Sequence, residues 1–96
     1  MDDDLFDWDD ANMLHLAEHG VAPEEAEYVL LGETLEMGFN NGETGEDRWS
    51  YIGETMGGRV LQVIITMRGG KIRVVTAFRP TTRDEISDHE YRMERQ

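Results

Sequence analysis

The chain has 96 residues, with 21 Asp or Glu against nine Lys or Arg and no cysteine. That length suits one domain over residues 1–96 with a single core, and the lack of cysteine excludes disulfides and thiolate metal sites. No apolar run reaches the roughly 20 residues of a membrane span, and the acidic opening is unlike a signal peptide, so a soluble cytosolic protein is expected.

A net charge of −12 argues against a nucleic-acid partner, because phosphate binding runs on Lys and Arg. The distribution matters more than the sum. Residues 1–47 hold fifteen Asp or Glu and no Lys or Arg, whereas residues 48–96 hold all nine basic side chains against six acidic ones. One end of such a chain can repel a polyanion while the other attracts one. A solubilising acidic surface with ordinary strand arginines accounts for the same numbers.

In chain order, Met1 to Asp4 reads as a frayed acidic end. Leu5, Phe6 and Trp8 then interrupt the acids, so Phe6-Asp7-Trp8 is expected to pack onto the body. Asp9 or Asp10 can cap a helix through Ala11–His19, with Met13, Leu14, Leu16 and Ala17 as its apolar stripe. Gly20 stops it, and His19 suits the negative end of the helix dipole. Pro23-Glu24-Glu25 starts a second helix, where a missing N–H costs nothing. Ala26, Val29 and Leu30 form its apolar face, and Gly32 closes it.

Thr34–Phe39 alternates Leu35, Met37 and Phe39 with polar partners, as a half-buried strand does. Residues 40–47 are a loop by composition. Arg48–Thr55 resumes strand character, with Trp49, Tyr51 and Gly53 on one face and Ser50, Ile52 and Glu54 on the other. After the Met56-Gly57-Gly58 turn, Val60–Met67 is rich in β-branched residues, the composition of a strand covered on both faces. Gly69-Gly70 supplies the positive φ angles of a tight hairpin. The next strand is expected to alternate Ile72, Val74 and Thr76 with Arg73, Val75 and Ala77. Pro80 ends it, and Thr81 or Thr82 caps a last helix through about Met93. Successive hairpins mean an antiparallel sheet, so the class is α+β.

Several ordered patterns now align. Phe6-Asp7-Trp8-Asp9 precedes His15-Leu16-Ala17-Glu18-His19-Gly20-Val21 and Pro23-Glu24-Glu25-Ala26. Arg48-Trp49, Ile52-Gly53-Glu54-Thr55, Gly58-Arg59-Val60-Leu61, Arg73-Val74-Val75-Thr76-Ala77 and Arg83-Asp84-Glu85 follow, with Tyr91 downstream. Taken together, the set resembles the BrnT family of bacterial toxins, partners of BrnA antitoxins in type II toxin–antitoxin pairs, over nearly the whole chain. The resemblance implies a RelE-like α+β fold: an antiparallel sheet of about four strands, two N-terminal helices and one C-terminal helix. It also implies a metal-independent endoribonuclease acting on RNA, and a BrnA-like antitoxin that neutralises it. No cofactor and no membrane partner are expected. Two features depart from the family pattern. Phe78 follows Thr76-Ala77 where the family has arginine, with Arg79 next, and the last helix carries Asp84, Glu85, Asp88, Glu90 and Glu94.

Cleaving RNA without a metal requires a base for the 2′-hydroxyl, cations at the phosphate and an acid for the leaving oxygen. Arginine suits the second task, because its planar fork holds two phosphate oxygens. Arg59, Arg73 and Arg79, with Glu85, are the catalytic candidates, and Arg83, Trp49 and His19 the substrate-binding ones. Arg59 and Arg73 form a cationic floor if they project from one sheet face; otherwise they are solvated arginines paired with acids such as Glu54 or Glu85. Glu85 or His19 is the proton carrier, although a carboxylate beside two arginines is a poor base and better suited to orienting them. His15 and His19 share a helix face at i and i+4, but two ligands without a third do not make a metal site. A helix-capping His19 and a partly buried His15 account for the same spacing. Trp8, Trp49 and Tyr51 are either base-stacking platforms or core, with Trp8 a packing anchor. The alternative to an enzyme is a catalytically weak or inactive interaction module, partner to its antitoxin or to a second copy as a homodimer.

Overall fold

The computed structural model describes residues 5–41 and 46–80. The acidic end at residues 1–4, residues 42–45 of the expected loop, and the last helix with Arg83 and Glu85 lie outside the described residues. Helices α1 (Asp10–Glu18) and α2 (Pro23–Leu31) precede strands β1 (Thr34–Asn41), β2 (Asp47–Glu54), β3 (Val60–Arg68) and β4 (Lys71–Phe78). The strands pair antiparallel in the order β1-β2-β3-β4. This is an α+β meander carrying two helices.

Local chemistry sets the ends of the elements. Of the two candidate caps, Asp9 is the one used. Its Oδ1 accepts the Asn12 N–H at 3.1 Å, while Asn12 Oδ1 accepts the Asp9 N–H at 2.8 Å, a reciprocal capping box. His19 is the C-cap, and Gly20 leaves the helix at φ +70. Pro23 opens α2, and Glu25 Oε1 accepts the Ala22 N–H at 3.0 Å. Between β3 and β4, Gly69 and Gly70 have φ +60 and +79, the left-handed pair that a two-residue hairpin requires. Pairing also runs further than the composition suggested. β1 continues to Asn41 and β2 begins at Asp47, so both strands take residues from the expected loop.

The main core lies between the helices and one sheet face. Leu16, Val21, Ala26 and Val29 meet Leu61, Val63, Ile65, Val74 and Ala77, with Trp8, Trp49 and Tyr51 packed at the margin. Burying a side chain such as Leu16 or Leu61 contributes about 1.5–3 kcal/mol. On the opposite face Ile52 and Val60 form a smaller cluster with Leu35.

Three expectations are corrected. Strict alternation in β4 fails because the register shifts between Ile64 and Ile65: Ile64 pairs with Thr76 and Ile65 with Val74. The bulge at Val75 brings Ala77 onto the core face with Ile72 and Val74, since an extra residue inverts the pleat beyond it. In α1, Met13 and Leu14 are exposed rather than apolar stripe, and His15 is exposed rather than partly buried. The cause is position. α1 runs beside the edge strand β4, so only Asn12 and Leu16 turn inward. Finally, β1 does not keep Leu35, Met37 and Phe39 on one half-buried face: its register shifts between Glu36 and Gly38, Leu35 pairs with Ile52 but Phe39 with Trp49, and Met37 and Phe39 are exposed.

Gly53 marks where α2 lies closest to the sheet. A Cβ there would stand 2.9 Å from Val29 Cγ1 and 3.3 Å from the Glu33 carbonyl, whereas at Gly38 it would meet nothing within 4 Å. Gly53→Ala is therefore expected to destabilise the fold by about 1–3 kcal/mol through overpacking. Gly38→Ala should stay within about 0.5 kcal/mol of the parent. Urea midpoints measured side by side test the contrast, and equal midpoints would refute this account of the helix–sheet contact.

Candidate active site

The edge of β4 is closed by the chain's own beginning. Phe6 makes a parallel bridge to Ile72, with the Asp7 N–H donating to the Ile72 carbonyl at 2.8 Å and the Ile72 N–H to the Leu5 carbonyl at 2.9 Å. The expected docking of Phe6-Asp7-Trp8 takes this form. Phe6 is buried, and Trp8 Nε1–H donates to Glu27 Oε2 of α2 at 2.6 Å. Asn12 completes the seam, its Nδ2 donating to the carbonyls of Asp7 at 3.0 Å and Val74 at 3.2 Å.

Beside this seam, α1 and the ends of three strands enclose a cleft of about 200 Å³. Arg48 at the start of β2, Arg68 at the end of β3 and Arg73 in β4 all line it, as do His15 and Ala11 of α1. Antiparallel pairing causes this gathering. Arg73 stands opposite Thr66, and Trp49 opposite Ile65, which carries the start of β2 to the end of β3. The Thr66 hydroxyl donates to the Asp47 carbonyl at 2.7 Å and fixes that corner.

Acids hold the three guanidinium groups apart. Asp9 takes Arg73 in a two-pronged contact, Nη1 to Oδ2 at 3.0 Å and Nη2 to Oδ1 at 3.1 Å, and Asp7 Oδ2 lies 3.5 Å from Nη1. The hydrogen bond from Arg73, and secondarily the Asn12 N–H, holds the Asp9 carboxyl below its ordinary pKa of 3.8. Asp9 in turn raises the pKa of Arg73, whose side chain is 12% exposed. Glu46 bridges the other two, 3.5 Å from Nη2 of Arg48 and 3.5 Å from Nη2 of Arg68. Arg48 Nε is buried and has no hydrogen-bond partner among the described residues. The cleft thus carries a bidentate-capable guanidinium fork from each of three strands.

Of the residues singled out from sequence, the cleft includes Arg73. Arg59 lies elsewhere, in the turn before β3. Its Nη2 donates to the Gly20 carbonyl at 3.0 Å and to Glu25 Oε1 at 2.8 Å, clamping the corner between the helices. Arg59 and Arg73 therefore line different depressions. Arg79 is exposed beyond β4. Trp49 is half-buried on the core with its ring 5.4 Å from that of Phe39. His19 sits 5.6 Å from His15 and 6.2 Å from Phe78, ring to ring. Arg83 and Glu85 lie outside the described residues. Sequence reasoning missed Arg48, Arg68 and Glu46 as site residues. Their signal is the pairing register, which places the start of β2 against the end of β3. No group of three His, Asp or Glu able to hold a metal ion occurs among the described residues, and no helix there is long and apolar enough to cross a membrane.

Fold and cleft together define a small α+β domain with an arginine-lined hollow, its guanidinium groups paired with acids, at one end of its sheet. Residues 8–85 match the ribonuclease toxin family BrnT of type II toxin–antitoxin systems, and the chain belongs to that family. The toxin–antitoxin class brings with it an antitoxin partner. No curated protein matches the chain.

The Asp9–Arg73 contact gives a pH signature. A carboxyl whose folded pKa is lowered adds stability above its unfolded value, and that stability is lost as pH falls through the folded value. In Asp9→Asn the amide preserves the cap but not the charge. Urea midpoints of the native chain are expected to drop more steeply than those of Asp9→Asn as pH falls below about 4. Parallel curves for the two proteins would remove the ion pair from the account.

Proposed function

We propose that the chain is a metal-independent endoribonuclease toxin whose scissile phosphate sits between Arg48, Arg68 and Arg73. The supporting observation is that three strands each contribute an arginine to one cleft that a histidine also lines. A phosphate entering this cleft finds the Arg48 and Arg68 forks only loosely held by Glu46, at 3.5 Å each. Arg73 must exchange Asp9 for phosphate oxygens, two acceptors for two acceptors.

Cleavage proceeds by attack of the ribose 2′-oxygen on phosphorus. The P–O5′ bond breaks as the new P–O2′ bond forms, giving a 2′,3′-cyclic phosphate and a free 5′-hydroxyl. The arginines stabilise the added negative charge in the transition state. His15 is the proton carrier within the cleft: the imidazole takes the 2′-hydroxyl proton as O2′ attacks and the resulting imidazolium gives a proton to the departing O5′. Glu46 orients Arg48 and Arg68. Arg48 also lines a depression of about 280 Å³ that includes Phe39 and Trp49, where an unpaired base can stack.

A second reading has its own observation. Arg59 and Arg73 are both held in ion pairs with acids of the N-terminal half, Glu25 for one and Asp7 and Asp9 for the other. A chain whose arginines serve only the fold is an interaction module for a BrnA-like antitoxin or for a second copy of itself.

Incubation with total RNA in the presence of EDTA separates the two readings. The nuclease reading expects cleavage to fragments with cyclic-phosphate ends. Arg48→Ala and Arg68→Ala should each lose about 10²–10³ in rate, and His15→Ala about 10²–10⁴. Intact RNA at high protein concentration, with the fold verified by circular dichroism, would leave the module reading standing.

A further inference from the structure

The far end of the sheet carries an apolar groove that the cleft does not use. Tyr28 and Leu31 of α2 and Met56 of the β2–β3 turn are 46%, 57% and 81% exposed. They line two depressions, of about 590 and 470 Å³, that share Tyr28, Thr55 and Met56. A methionine that exposed, beside a tyrosine and a leucine, is an adaptable apolar surface of the kind that interfaces favour.

Charge decides what fits. Glu24, Glu25, Glu33 and Glu54 line the same groove, and Arg59 is its one basic lining residue among those described. Arg59 is already paired with Glu25 at 2.8 Å. A second copy of this chain would bring the same acidic lining against itself, which like-charge repulsion disfavours. We propose that this groove docks an amphipathic helix of a partner protein, apolar on the seam and Lys- or Arg-rich along both flanks. The apolar stripe covers Tyr28, Leu31 and Met56 as helix-in-groove ligands do, and a flanking cation meets Glu24 on the acidic rim. The antitoxin implied by the family is the source of such a helix, which ties this inference to the family reading. Binding of a designed probe does not depend on RNA cleavage, so the two stand or fall separately.

The probe is a Leu/Lys amphipathic peptide of about 15 residues, roughly four helical turns, titrated calorimetrically into the full chain. Its control carries Ser in place of every Leu at the same charge. The Leu peptide is expected to bind, and Met56→Ser and Tyr28→Ser, both at exposed positions, to weaken it by about tenfold or more. Glu24→Lys should weaken it and steepen its loss with salt, while Arg68→Ala in the cleft should leave it within about twofold. Equal binding of the Ser peptide, or undiminished binding by the groove variants, would overturn the proposal. A dimer in sedimentation that Met56→Ser dissociates would also overturn it, by assigning the groove to a second copy.

Discussion

One buried amide holds the architecture of the cleft together. Asn12 uses both Nδ2 protons and its Oδ1 at once, on the Asp7 and Val74 carbonyls and the Asp9 N–H. Only one orientation of the amide satisfies all three partners, so the side chain specifies geometry as well as adding stability. Leaving those buried groups unpaired would cost about 1–3 kcal/mol each. With the Phe6–Ile72 bridge, the seam occupies polar groups along the outer side of β4 that an open edge would present to other chains. Closing the edge this way has an electrostatic result, because the segment that does so carries Asp7 and Asp9 to Arg73. Edge protection and neutralisation of the arginine are one structural event.

The charge asymmetry between the chain's halves thereby acquires a spatial meaning. Among the described residues, four acids of the first half reach across to arginines of the second. Asp7 and Asp9 stand on Arg73, Glu25 on Arg59, and Glu46 between Arg48 and Arg68. An excess of acid remains, and a net charge of −12 opposes the approach of a polyanion from a distance. Within the cleft, among the described residues, two of the three guanidinium groups are held at 3.5 Å by a shared carboxylate. Long-range repulsion of a polyanion together with these local arginines means that, on the nuclease reading, binding depends on the shape of the hollow rather than on net charge.

The parts of this fold that were legible in sequence rest on local rules. Gly69-Gly70 marked its turn because few residues tolerate two consecutive positive φ angles, and Asp9 marked its helix because carboxylates cap orphan N–H groups. Of the period-two strands, the β2 alternation holds, whereas bulges break it in β1 and β4. What failed depended on distant partners. Nothing near Val75 announces a bulge; it follows from how β4 must pair with β3 while reaching α1. Met13 and Leu14 read as core only if α1 lies flat on the sheet, and it runs along the edge instead. The site suffered most. Arg59 and Arg73 look equivalent as strand arginines, yet one clamps a helix corner and the other faces a cleft. Arg48 and Arg68 are twenty residues apart in the chain, and only the β2–β3 register reveals that they meet.

Antiparallel geometry also separates the two candidate surfaces. The cleft uses the beginning of β2 and the end of β3, whereas the groove uses the end of β2 and the turn leading into β3. At about 3.3 Å per residue along eight-residue β2, these ends lie roughly 20 Å apart. A helix of about four turns could lie in the groove without reaching the arginines. A partner anchored there would thus need a second segment to block the cleft, or would neutralise the toxin by holding it away from RNA. If a partner helix occupies the groove and a phosphate the cleft, anchoring and inhibition are physically distinct steps.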